Sequence, residues 1–514
     1  MTTNNDVDVF ISGAGPTGLL LALLLVKQGV RVRIVDETEQ PGTTSRALAV
    51  QSRTLEIYRQ IDLADQVVRR GRILGAANLW RRGDRVAHIE IGAIGRGLSP
   101  FPFGVIFPQD EHERLLVERL EAAGVRVERR TAFTSFEATD EGVVVHERRS
   151  DGGTSTWRAR YLAGCDGASS PTRRAIGAQF PGGTYEHLFF VADVEAHGPA
   201  VNGELHVVLD DAGFLGLFPL AGESRARVVG TIQDGAGGSG RSVGWDDVDM
   251  RPIRRIGLDV AKVNWFSTYR VHHRVADRFR LGRAFILGDA GHIHSPVGGQ
   301  GMNTGLGDAT NLAWKLAAVL GGRAREDLLD TYEPERIAFA RKLVATTDRV
   351  FQAASSPGRL AEVLRTQVVP RLAARVIATH VGQRFFFRAL AQAAIEYRKS
   401  AWSRGHAGSI HAGDRLPWVA PATAGAPDNF TPLRSLDWQV HVYGAPSNDV
   451  RAGCKERGLS LHVFACDPAA TEAGFREGAT YLVRPDGYLG SVFEGSAAAS
   501  SLARYIDEHE IRVR

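Results

Sequence analysis

Lysine is almost missing from this chain. Only six of its 514 residues are Lys, so nearly all of the 62 basic side chains are Arg. They face 58 acidic ones and leave a formal charge of +4. No block of Lys or Arg collects that surplus, which argues against a nucleic-acid partner. Cysteine is scarce too. Cys165, Cys454 and Cys466 are the only three. They are too few for a disulfide framework, and no CxxC pair offers a metal site or a redox couple, so the chain reads as cytoplasmic. Long apolar runs are absent. The longest, Leu19 to Val26, stops at Lys27, far short of the ~20 residues that span a bilayer. The opening Met1 to Asp6 has no basic residue, so no secretory segment is expected. No GxSxG elbow is present, which removes the main signature of a hydrolase. His292 and His294 lie close together but without a Cys or carboxylate set, so no metal is expected.

Glycine, by contrast, is abundant. Its 57 residues exceed the usual share of about 7% and point to tight turns and close backbone approaches. Val7 to Ser12 reads as a buried strand, residues 16–28 as a leucine-rich helix, and Arg31 to Val35 as a second strand: a complete βαβ unit. Between the first strand and the helix stands Gly13-Ala14-Gly15-Pro16-Thr17-Gly18. In such a loop the first glycine permits the turn, the second lets backbone approach a pyrophosphate, and the third lets helix and sheet pack closely. The diphosphate would lie on the helix N-terminus. Asp36 closes the second strand, where a carboxylate can accept from ribose hydroxyls.

A second glycine-rich stretch follows another apparent strand: Gly288-Asp289-Ala-Gly-His292, then Ser295 to Gly305, then a helix. Its N–H groups could face a further electron-rich ligand group. Two anion-ready helix starts suggest one long ligand lying across a sheet. A third stretch, Gly164-Cys-Asp-Gly167, ends the strand expected at 157–163. Residues 181–275 read as mostly antiparallel sheet. Helices are expected at 110–123, 305–320, 333–355 and 358–400. The last hundred residues alternate strands and helices around a Pro485-Asp-Gly487 turn, as a small separate α/β module.

Three motifs carry a resemblance in order and position: GAGPTG at 13–18, GCDG at 164–167 and GDAGHIHSPVGGQGMNTG at 288–305. With them the whole chain resembles the single-component FAD-dependent aromatic hydroxylases of the p-hydroxybenzoate hydroxylase type. The likeness is strongest to the phenol and polyketide-antibiotic hydroxylases with a thioredoxin-like C-terminal domain. It implies an α/β fold: an FAD-binding Rossmann-like domain from 1–180 and 276–357, an inserted β-rich substrate domain at 181–275, a helical connector at 358–400 and the C-terminal domain at 401–514.

The resemblance also implies roles. Gly13, Ala14, Gly15, Thr17 and Gly18 would cradle the FAD pyrophosphate, and Asp36 the adenosine ribose. Arg46 and Gln109 would touch the diphosphate and ribityl region, and Asp289 the ribityl chain. Asp166 would be tied to FAD and the nicotinamide coenzyme. Gly299, Gly301, Met302 and Asn303 would present backbone N–H groups to the flavin, with Pro296 beside its reactive face; no catalytic base is assigned. Phe101, Phe103, Phe214, Phe218, Trp265, Phe266 and Tyr269 would line a flat pocket or pack in the core. The implied reaction uses NAD(P)H, docked transiently, and O2 to hydroxylate a phenolic, aromatic or polyketide-type small molecule through a flavin C4a-hydroperoxide, in a monomer or homodimer. Epoxidation and Baeyer–Villiger oxygenation share the fold. A non-catalytic flavin-containing binding protein would carry the same glycine loops.

Overall fold

The computed structural model describes residues 6–42, 47–210, 213–232, 243–295, 298–355, 379–423 and 425–513. Arg46 and Pro296, both expected at the site, lie outside them, as does much of the connector expected at 358–400.

The first sheet is built on Asp6–Ser12. Its parallel neighbours are Val32–Val35 on one side and Thr154–Gly164 on the other, and beyond the latter lies Ala284–Ile286. The chain first winds to one side of the central strand and later returns on the other, so the order reverses there. In open α/β sheets that reversal leaves a crevice at the carboxyl ends of the strands. The helix Pro16–Lys27 is apolar on nearly every side because it is covered on nearly every side: Leu19 to Leu25 are all buried. It packs against the helices Gly301–Leu320 and Gln109–Ala122. Each buried leucine contributes roughly 1.5–3 kcal/mol against exposure.

The second sheet has eight strands among the described residues, and its longest are the neighbours Gly182–His197 and Asp259–Val275. Residues 181–275 supply most of it, with the helix Met250–Arg255 among them. The sheet also reaches back across the boundary expected at 180. Ala76–Arg81 and Asp84–Glu90, from the first segment of the chain, form its far edge, and Ala76–Arg81 pairs in parallel with Leu205–Asp210. Parallel pairing needs a long crossover, and a partner more than a hundred residues away leaves no local signal.

Side chains alternate across this sheet. One face carries Phe190, Ala192, Leu215, Leu217 and Val228, which form a core with Ile253 of the helix Met250–Arg255. Phe266 joins that core, stacked on Phe190 at 6.0 Å. The other face carries Phe189, Phe214, Phe218, Trp265 and Tyr269, by the register of the strand pairs.

The C-terminal module forms a four-stranded sheet of Gln439–Tyr443, Ser460–Phe464, Thr480–Val483 and Leu489–Phe493. The first two strands are parallel and the rest antiparallel, in spatial order second, first, third, fourth. Helices Asn448–Glu456, Pro468–Glu472 and Ala498–Glu508 follow the first, second and fourth strands. A buried charge cluster joins the module to the rest of the chain. Glu335 accepts from Lys315 at 2.8 Å and from Arg484 at 3.0 Å, and Arg484 also pairs with Asp486.

Candidate active site

The three glycine motifs meet at the carboxyl ends of the first sheet. Cys165 N–H donates to Ser12 O at 2.7 Å, and Leu287 N–H to Gly164 O at 2.9 Å. Gly13 holds a φ of +100°, and a methyl group there would lie 2.3 Å from Cys165 O; at Gly18 it would lie 2.0 Å from Gly13 O. Both positions are closed to any side chain by their own fold. Gly15 differs: nothing lies within 4 Å of where its side chain would be. Thr17 joins the first motif to the last. Side chains at Gly288 and Gly305 would both run into its hydroxyl, at 2.8 Å and 2.3 Å.

Asp36 reaches the first motif as well. Its carboxylate accepts from Ala14 N–H at 2.6 Å and from Thr38 N–H at 2.8 Å. Gln109 opens its helix, where it donates to Glu113 at 2.8 Å and its backbone N–H bonds Ala47 O at 3.1 Å. Asp166 accepts from Thr172 N–H at 2.9 Å, from the Thr172 hydroxyl at 2.6 Å and from the Ser170 hydroxyl. It thereby supports the start of the short helix Pro171–Ala175, whose cap is Ser170. Asp289 is exposed in a 3-10 turn, Gly288–Ala290, whose other residues are buried.

Gly301, Met302 and Asn303 form the first turn of the helix Gly301–Leu320, so their N–H groups have no acceptor inside it. The Asn303 side chain is fully employed within the protein. It donates to Ala49 O and Gly299 O, both at 2.8 Å, and accepts from Gln51 N–H at 2.9 Å and the Thr54 hydroxyl at 2.8 Å. Gly299 has a φ of +62°, and a methyl group there would lie 2.8 Å from the Ala49 side chain. Ala49 in turn packs against a cluster that includes Leu48 and Leu220, and Phe218 packs against the same cluster. The last glycine loop thus adjoins the aromatic face of the second sheet. Phe214, Phe218, Trp265 and Tyr269 are half-buried on that face. Phe101 and Phe103 instead pack at the edge of the main core.

Behind the loops stands a group of side chains of which the motifs mark only His292. Asp308 is wholly buried and accepts from Gly288 N–H at 2.9 Å, His292 Nε2 at 2.7 Å and Arg336 Nε at 2.5 Å. Burial alone would raise its carboxyl, but Arg336 and His292 overturn this and hold it below its ordinary value. Arg336 also donates to Thr304 O at 3.1 Å and Tyr397 Oη at 2.8 Å. Arg173 ties the second motif to the third by donating to Ala290 O at 2.9 Å. One sequence signal was available: Asp308 and Lys315 are the only charges in a twenty-residue helix, and a charge in a buried helix demands a partner. Cys165 is buried, and burial pushes its thiol well up, so it is a packing residue.

Residues 6–347 match the family model described as FAD binding domain. The chain belongs to this FAD-binding family. It is 32% identical over 519 residues to 6-methylpretetramide 4-monooxygenase of Streptomyces rimosus, covering 96% of this chain and 92% of that one. It is 32% identical over 363 residues to pentachlorophenol 4-monooxygenase of Sphingobium chlorophenolicum, covering 69% and 66%. Among solved structures, OxyS anhydrotetracycline hydroxylase from Streptomyces rimosus superposes with a TM-score of 0.76 at 27% identity, over 98% and 99% of the two chains. CabE, an aromatic hydroxylase from angucycline biosynthesis, superposes with a TM-score of 0.78 at 26% identity, over 99% and 100%.

The residues present fit FAD. Gly15 leaves a bare patch of backbone facing open space at the start of a helix, the arrangement a pyrophosphate needs. Next to Gly301, His294 buries an Nε2 with no hydrogen-bond partner among the described residues. Burial lowers that imidazole to about 4, so it is neutral near pH 7. Among the described residues no group of three or more His, Cys, Asp or Glu could hold a metal ion, and no helix is long and apolar enough to cross a membrane.

Proposed function

We propose that this chain is a monooxygenase that binds FAD and NAD(P)H and inserts one atom of O2 into a phenolic, aromatic or polyketide-type small molecule. One observation carries the reading: Asn303 of the last glycine loop bonds Ala49, and Ala49 and Phe218 of a half-buried aromatic face pack against the same apolar cluster. A cofactor held by that loop and a flat apolar substrate on that face would be neighbours. Bound FAD supplies the two-electron chemistry with NAD(P)H and the activation of O2.

The chain's own part is binding, orientation and field. Gly13, Gly15, Thr17 and Gly18 hold the pyrophosphate, with Asp36 at the ribose and Asp289 at the ribityl chain; Arg46 and Gln109 would complete the diphosphate region. Asp166 acts by fixing the turn that follows the second motif, through Ser170 and Thr172. Gly299, Gly301, Met302 and Asn303 present N–H groups at a helix N-terminus, where negative charge is stabilised. Phe214, Phe218, Trp265 and Tyr269 supply apolar walls that orient a ring and exclude water. Pro296 would stand beside the reactive face of the flavin.

The strand order of the C-terminal module supports a thioredoxin-like domain, and the lack of a CxxC pair assigns it a packing role. The cysteine usage supports a cytoplasmic enzyme. A screen of phenols and polycyclic compounds for stimulated NAD(P)H oxidation tests the reading, followed by turnover under isotopically labelled oxygen gas. One labelled oxygen atom in the product is expected. Product without label defeats the assignment.

A further inference from the structure

The flavin-facing end of the helix Gly301–Leu320 is gripped by a segment that belongs neither to a glycine motif nor to the family match at 6–347. Gln300 stands at the N-cap position of this helix, with its side chain bonded elsewhere. Its side chain is held at both ends. The amide nitrogen donates to Leu390 O at 2.9 Å, and the amide oxygen accepts from Gln392 Nε2 at 2.7 Å. Gln392 Nε2 also lies 3.0 Å from the Thr304 hydroxyl and 3.3 Å from Gln300 O. Gln300, Thr304 and Gln392 are all buried, so these bonds are not exchanged freely with water.

Gln392 is itself held in an uncommon shape. Its φ is +57°, a left-handed conformation that a side chain other than Gly, Asn or Asp seldom adopts. The flanking chain fixes it from outside. Arg53 N–H donates to Ala391 O, Tyr397 N–H donates to Gly413 O at 2.7 Å, and the Tyr397 ring packs against Tyr488 of the C-terminal module at 4.4 Å. Backbone strain that persists in a buried place points to a role for the side chain it aims.

We infer that Gln392 is a positioning residue for the flavin, acting through Gln300 to aim the N–H groups of Gly301, Met302 and Asn303. This rests on the reading that those groups face bound FAD. Those N–H groups stabilise negative charge only while the first turn is held in one orientation, and preorganised dipoles cost no rearrangement when charge appears. Without the Gln392 amide, the Gln300 side-chain oxygen is left buried and unsatisfied, and the residue turns to find another donor, carrying the helix start with it. The reduced, more negative form of the cofactor loses more by this than the oxidised form. The C-terminal module thereby acquires a function: it holds residues 391–397, and through them the electronic setting of the site.

The test uses the full-length holoenzyme and two variants, Gln392→Gly and Gln392→Leu. Glycine removes the amide and also relieves the left-handed backbone, so it separates the side chain from the turn. The readouts are FAD affinity by fluorescence quenching and the midpoint potential of bound FAD by spectroscopic titration. Both variants should shift the potential to a more negative value, by a tenfold loss of preference for reduced over oxidised FAD, which is about 30 mV for a two-electron couple. Thermal unfolding of Gln392→Gly should match the wild type within a few degrees. Wild-type potential and affinity in a well-folded Gln392→Gly protein would overturn the inference and leave the functional reading intact. If Gln392→Gly fails to fold, a wild-type potential in Gln392→Leu overturns it equally. A wild-type protein that takes up no FAD would overturn both.

Discussion

Gly15 and Gly13 stand two residues apart, and the structure assigns them opposite sensitivities. Gly15 has a φ of −75° and a ψ of −178°, extended backbone that alanine adopts without strain, and its side-chain direction is open. Gly15→Ala should therefore stabilise the flavin-free protein by about 0.4–1 kcal/mol, because alanine restricts the unfolded chain. The same methyl group would occupy the space a pyrophosphate needs. A clash of that kind costs about 1–3 kcal/mol, so FAD should bind roughly 5- to 150-fold more weakly, at 1.4 kcal/mol per factor of ten. Gly13→Ala should do the reverse in the flavin-free state. Its methyl group meets Cys165 O at 2.3 Å, and its φ of +100° is hostile to alanine; together these cost about 2–5 kcal/mol. The assay is thermal unfolding of flavin-stripped protein, paired with fluorescence titration of FAD. A Gly15→Ala protein that binds FAD as tightly as wild type would refute the assignment of this open face to the cofactor. A Gly13→Ala protein as stable as wild type would refute the steric argument.

Arg336→Met leaves the Asp308 carboxylate buried with only His292 and one backbone N–H, and breaking such a pair costs about 3–5 kcal/mol; a lower unfolding midpoint and weaker FAD retention are expected, and wild-type values for both would count against it. Phe214→Ala should raise KM for an aromatic substrate several-fold and leave FAD affinity unchanged, measured by steady-state kinetics and flavin titration. Stability should fall as pH drops below 6.5. Burial lowers His112 to about 3 and His294 to about 4, so the unfolded chain takes up their protons first. His112 is wholly buried, and at 1.36 kcal/mol per unit it alone should cost about 2 kcal/mol by pH 5. Unfolding midpoints from pH 7 to pH 5 test this, and a flat profile would contradict the burial argument.

Much of the first domain is legible without coordinates. A βαβ unit with glycines at 13, 15 and 18 has few ways to fold, because periodicity and turn chemistry act over short stretches of chain. The aromatic residues are a different matter. Trp265 faces the site, while its neighbour Phe266 faces the opposite core. A register slip of one residue would exchange them, and register is set by partner strands. Asp166 is the opposite case, since its bonds are made within the local turn that follows it.

The glycine loops, the strand and helix order around them, and hence the cofactor-binding family can all be read from the order of residues alone. Those features come from local rules: conformational freedom at glycine, helix starts that lack acceptors, and apolar periodicity. Three others exist only in the folded chain. Residues 76–90 complete the second sheet, Asp308 and Arg336 brace the last motif, and Gln392 grips the start of its helix. In each case the partners are far apart in sequence, and around Asp308, Arg336 and Gln392 burial strengthens the contact by excluding water. No local pattern encodes a partner that only folding brings near.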